Sequence, residues 1–153
     1  WALGAGFVRN LIWDHLHQKA EPTPLNDIDL IYLDPSDPEG VDEREHEAWL
    51  AERLPGQRWE VRNQARMHSR QQVPPFASSL EALSHWVEVP TCIGVRLLAN
   101  DEFEWLAPHG FGHNWSLQVS ANPRCRQESR IFIDRIRDKQ WQIIWPDLVV
   151  NWP

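Results

Sequence analysis

The chain is poor in cysteine and in basic residues and has no long apolar run, and each shortage closes a class of answers. Two cysteines, Cys92 and Cys125, in 153 residues are too few for a disulfide-built scaffold and too far apart for a metal knuckle. They suit a reducing, cytoplasmic setting. The longest apolar stretches, such as Ile143 to Trp145 and Leu148 to Val150, fall far short of the roughly 20 residues that span a bilayer. No membrane helix is expected. Only 15 Lys and Arg stand against 22 Asp and Glu, a formal net charge of −7. A long phosphate backbone would meet net repulsion, which argues against long nucleic acid as a partner. The opening Trp1-Ala2-Leu3-Gly4 carries no initiator Met and no leader pattern, so the chain reads as a piece whose N-terminal part is missing.

What is present fits one globular domain over residues 1–153, with 42% hydrophobic and 24% charged residues. Ten tryptophans are scattered without a period and read mainly as buried indoles. The order of elements points to a mixed α/β fold. Small apolar residues 2–6 lead into a helix in which Val8, Leu11, Ile12 and Leu16 share a face. Ile28–Leu33 reads as a central strand, and residues 39–54 as an exposed helix stopped by Pro55-Gly56. Residues 58–65 alternate, with Trp59, Val61 and Ala65 on one face and Glu60, Arg62 and Gln64 on the other. Ser78 or Ser79 caps a helix through Trp86, residues 92–106 form a hairpin, and residues 126–139 an amphipathic helix.

Two local patterns carry chemistry. Asp27 and Asp29 stand at i and i+2 at the start of a strand, so their side chains share a face and can share a divalent cation such as magnesium. Like charges held that close in an apolar strand need compensation. The plain alternative is a solvated strand entry. Before them, Gly4-Ala5-Gly6 opens a helix, where free amides and the helix dipole favour phosphate. Arg9, one turn in, adds a guanidinium fork. A phosphate cradle followed by paired carboxylates on the next strand is what metal-assisted chemistry on a nucleotide requires.

Glu60 sits on the polar face of the alternating segment, where a neighbouring strand can aim it at Asp27 and Asp29; the alternative is a surface Glu paired with Arg58 or Arg62. Arg58, Arg62, Arg66 and Arg70 recur every four residues, but the alternation argues for a strand, in which Arg62 and Arg66 line a cleft beside Glu60 or else face solvent. His68 is either a cleft residue or a hydrogen-bonded structural histidine.

Gly6-Phe7-Val8-Arg9-Asn10 followed by Asp27-Ile28-Asp29 resembles the nucleotidyltransferase superfamily of DNA polymerase beta and the CCA-adding enzymes. Asn26 to Asp29, Trp59 to His68 and Pro74 to Ser78 resemble more closely a bacterial family of nucleotidyltransferase-like proteins. The resemblance implies a palm-like mixed sheet and two magnesium ions, with Asp27, Asp29 and Glu60 as catalytic and metal-binding carboxylates. It implies Gly6 at the phosphate turn, a nucleoside triphosphate as substrate, an acceptor hydroxyl of unknown identity, and pyrophosphate as product. Three departures stand out: Ala5 where the superfamily often has Gly, Asn10 in place of an Asp, and a long stretch between Gly6 and Asp27. The alternatives are a non-catalytic nucleotide-binding or protein-interaction module on the same fold, and an acidic interaction protein without magnesium affinity.

Overall fold

A computed structural model describes residues 1–125 and 129–153. β1 (Ala2–Gly4) turns through Ala5 into α1 (Gly6–Leu16), followed by β2 (Ile28–Tyr32), α2 (Val41–Arg53) and β3 (Trp59–Asn63). A 3₁₀ turn at Gln64–Arg66 leads to two short helices, α3 (His68–Gln71) and α4 (Ser79–Leu83). The hairpin strands β4 (Gly94–Leu97) and β5 (Phe103–Leu106) come next, then α5 (Gly112–Trp115), β6 (Gln118–Ser120), α6 (Ser129–Lys139), α7 (Trp141–Ile144) and β7 (Val149–Asn151). Of the expected helix over 126–139, residues 126–128 lie outside the described residues.

The architecture is mixed α/β. The main sheet runs β3-β2-β1-β4-β5, with β2 and β3 parallel and the other neighbours antiparallel. β6 and β7 form a separate parallel pair. Apolar residues of α1 pack in two directions: Val8 and Ile12 meet Ile93 and Val95 of the sheet side, and Trp13 enters a cluster with Phe132, Trp141 and Trp145. Trp13 meets Trp141 and Trp145 edge-on, at centroid distances of 5.4 and 5.0 Å, the arrangement ring quadrupoles favour. Asp14 secures this junction, accepting hydrogen bonds from Trp145 Nε1 at 2.7 Å and from Thr23 Oγ1 at 2.6 Å. The Pro-containing segment after α1 is thereby tied back onto the helix.

β3 is a sheet edge, and edges expose amides that need partners. Here α2 supplies them. Glu47 Oε1 accepts from Val61 N at 2.9 Å and Glu43 Oε1 from Asn63 N at 2.7 Å. α2 is otherwise largely exposed, as its Glu, Arg and Ala content implies, with Asp37 Oδ1 accepting from Val41 N at its start. Ser78 Oγ accepts from Glu81 N, and Glu81 Oε2 accepts from Ala77 N, a reciprocal cap on α4. That helix ends at Leu83, short of the expected Trp86.

The tryptophans correct one expectation. Trp13, Trp141 and Trp145 are buried, but Trp1, Trp49, Trp105, Trp115 and Trp152 are each more than half exposed. Two of these five, Trp1 and Trp152, lie outside any strand or helix, and Trp49 stands on the largely exposed α2. Among the described residues, no helix is long and apolar enough to cross a membrane.

Candidate active site

Side chains two residues apart on a strand share a face, and parallel neighbours in register stand side by side. β2 and β3 pair Asp29 with Glu60 and Ile31 with Arg62. Asp27, Asp29 and Ile31 therefore share a face with Glu60, Arg62 and Gln64, and all six line one cleft of about 310 Å³. β1 runs antiparallel beside β2 with Leu3 opposite Leu30. The turn after β1 is thus set beside the carboxylates, and Ala5, Gly6, Arg9 and Asn10 line the same cleft. Thr23 to Asn26 form one rim, and Arg135 and Lys139 of α6 with Trp141 of α7 form a wall.

The two aspartates are only partly compensated. Burial, then the charges of Asp27 and Glu60, push the Asp29 carboxyl up from 3.8 to about 6, with Arg9 and Lys139 opposing. No described residue donates a hydrogen bond to Asp27 or Asp29. Glu60 Oε1 pairs with Arg62 Nη2 at 2.8 Å, while Arg62 Nη1 reaches Glu47 Oε1 at 2.8 Å. Glu60 therefore combines both expectations: it lines the cleft and is paired with Arg62. Among the described residues, no three His, Cys, Asp or Glu side chains are drawn together as tightly as a bound metal would hold them. Asp27, Asp29 and Glu60 nevertheless line one cleft face, and Asp29 resists ionisation first because it is buried and then because its neighbours are acidic.

Arg9 is the buried cation of this cleft. Its Nε and Nη2 donate to Asn10 Oδ1 at 3.2 and 2.9 Å, and its guanidinium lies 4.4 Å from the Trp141 ring centroid. No described carboxylate pairs with it. Burial lowers its pKa to about 10, against the pull of Glu88, Asp29 and Asp27. A Cβ on residue 6 would stand 3.4 Å from Arg9 Nη2 and 3.6 Å from Leu25 Cδ2, so Gly6 keeps open the space in front of the guanidinium. Ala5 holds φ 47 and ψ −114, a backbone conformation suited to glycine. Alanine thus stands here in a conformation that glycine adopts more readily.

Arg66 does not line the cleft. β3 ends at Asn63, whose Oδ1 accepts from Ala65 N, so the two-residue alternation stops there. Arg66 turns instead to buried Glu43, with Nε–Oε1 at 3.0 Å and Nη2–Oε2 at 2.6 Å. His68 is the hydrogen-bonded histidine, its Nδ1 2.8 Å from Ala65 O.

Arg135 and Lys139 were not legible as cleft residues. The amphipathic pattern of α6 marks a helix, but nothing local says which strand face it meets. Arg135 is fixed by Glu88, fully buried, with Nε–Oε1 at 2.5 Å.

Comparison with known proteins agrees with this geometry. A family model described as nucleotidyltransferase matches residues 1–150. A solved structure described as an NMR structure that reveals a CCA-adding enzyme head domain superposes with a TM-score of 0.84 at 32% identity, covering 99% of this chain and 81% of that one. No curated protein matches the chain.

Proposed function

The chain belongs to the nucleotidyltransferase family, and on that premise we propose that it moves a nucleoside monophosphate from a nucleoside triphosphate to an acceptor hydroxyl. Pyrophosphate leaves. The observation that carries this is one cleft face bearing Asp27, Asp29 and Glu60 beside the Gly6 turn and an Arg9 without a carboxylate partner among the described residues. Family membership implies a nucleotide substrate; the acceptor is open.

Asp27, Asp29 and Glu60 are the residues that would hold divalent cations, magnesium by the resemblance. Bound there, such ions neutralise triphosphate charge and acidify an attacking hydroxyl. The start of α1 presents free amides to the terminal phosphates. Arg9 adds a fork whose fixed plane matches phosphate oxygens. Lys139 adds positive charge at that end, while Arg135 is matched by Glu88. The acceptor oxygen bonds to the α-phosphorus as the bond to the bridging oxygen breaks, and the hydroxyl proton goes to water. Two unpaired cysteines suit a reducing cytoplasm as the setting.

The Glu60–Arg62 pair favours a second reading, nucleotide binding without transfer, because a guanidinium already occupies one oxygen of the third carboxylate. The test is pyrophosphate release from each nucleoside triphosphate with magnesium against a panel of hydroxyl acceptors. Transfer is supported when release needs magnesium and an acceptor and drops at least a hundredfold in Glu60→Gln. Triphosphate binding with no release against any acceptor would favour the second reading.

A further inference from the structure

The two ends of the cleft differ in chemistry. Gly6, Arg9, Arg135 and Lys139 gather where β1 ends and β2 begins. Past the carboxylates, the same face continues through Ile31, Arg62 and Gln64, and β3 then leads into the 3₁₀ turn and α3. Trp86 Nε1 donates to Gln64 Oε1 at 3.4 Å, and both residues line the cleft. The far end is lined by Met67, Arg70, Phe76 and His85.

That end pairs an apolar wall with an unspent cation. Phe76 is buried, and the His85 ring lies 5.2 Å from it at 38°. His85 Nδ1 donates to Arg124 O at 3.0 Å, leaving Nε2 without a partner among the described residues. Arg62 is matched by Glu60 and Glu47, and Arg66 by Glu43. Arg70 is exposed at the mouth and has no carboxylate partner among the described residues. An arginine left unmatched at a concave, aromatic-lined end is suited to bidentate capture of an anion attached to an apolar or planar body.

We infer that the Met67, Arg70, Phe76 and His85 end is the acceptor subsite, and that the acceptor is a small hydroxyl compound carrying an anionic group, phosphate or carboxylate, beside an apolar or aromatic body. This rests on the transfer reading above, in which Glu60 is one of the three carboxylates, and Glu60 stands on the strand that leads to this end. The acceptor oxygen bonds to the α-phosphorus, pyrophosphate leaves, and the proton passes to water. The anion on Arg70 takes no part in bond making. An acidic protein with a single exposed cation at this mouth is suited to one small anion and not to a polyanionic backbone.

Met67 is the sole methionine, so its labelled methyl group gives one resonance that reports this end alone. Phenyl phosphate and benzoate are titrated into the whole chain, with phenol and inorganic phosphate as controls, each with and without a magnesium nucleoside triphosphate. The expected result is that at least one aromatic anion shifts the Met67 methyl, that the nucleotide does not displace it, and that Arg70→Ala weakens it about tenfold at low salt. Which of the two binds better separates a phosphate from a carboxylate acceptor. The inference is overturned if neither anion moves the methyl, if Arg70→Ala binds as well as the wild type, or if the nucleotide excludes both anions, which would assign this end to the nucleobase. Failure of the transfer reading looks different: magnesium triphosphate releases no pyrophosphate with any acceptor, whatever the Met67 methyl reports.

Discussion

Asp29 and Glu60 are direct partners in the parallel ladder between β2 and β3, side by side on the cleft face. Two carboxylates in that relationship, with Asp27 one step along the same face, repel one another in a partly buried setting.

Burial of Asp29, and then the charges of Asp27 and Glu60, make the stability depend on pH. The Asp29 carboxyl titrates at about 6 when folded, against 3.8 unperturbed. Between those values the native chain holds more protons than the unfolded one, so this group's contribution falls as pH rises through the window and is fully unfavourable above it. The loss is about 1–3 kcal/mol. Denaturant unfolding of Asp29→Asn is expected to show a gain of that size over the wild type at pH 7.5 and little difference at pH 4. Magnesium should raise the midpoint of the wild type and not of the variant. A variant less stable than the wild type at pH 7.5 would contradict the repulsion.

Ala5 is the second source of cost. At φ 47 and ψ −114, its Cβ is strained where glycine would be relaxed. Ala5→Gly is expected to raise the stability by about 1 kcal/mol, despite the greater freedom glycine gives the unfolded chain. Thermal unfolding checks it, and a lowered midpoint would show that the turn relaxes to suit alanine.

Arg9 and Arg66 should separate cleanly. Arg9→Gln removes the cleft guanidinium and is expected to weaken triphosphate binding at least tenfold. Arg66→Ala strips buried Glu43 of its cation and should destabilise the chain by about 2 kcal/mol, while triphosphate affinity stays within twofold. Calorimetric binding and denaturant unfolding on both variants read the two effects.

Much of this site is written in local pattern. The two-residue period puts Asp27 with Asp29 and Glu60 with Arg62, the helix stripe defines α1, and glycine-type turn chemistry places Gly6. Arg66 leaves the cleft face because the two-residue period ends at Asn63, whose side chain accepts from Ala65 N. The covering of the β3 edge by Glu43 and Glu47 is tertiary: acidic residues on an exposed helix look like solvated charge until the edge amides are located. β6 and β7 are short parallel strands far apart in the chain, and the docking of α6 that brings Arg135 to the cleft depends on the Trp13 cluster. Neither leaves a signal in any short window.

The central claim is that Asp27 and Asp29 make this cleft a metal–nucleotide site. The most direct measurement is calorimetric titration of each nucleoside triphosphate into wild type and into the Asp27→Asn, Asp29→Asn double variant, with and without magnesium. The account predicts binding by the wild type that needs magnesium and is lost in a double variant that remains folded. Triphosphate binding of equal strength in both proteins, or none by folded wild type, would contradict it.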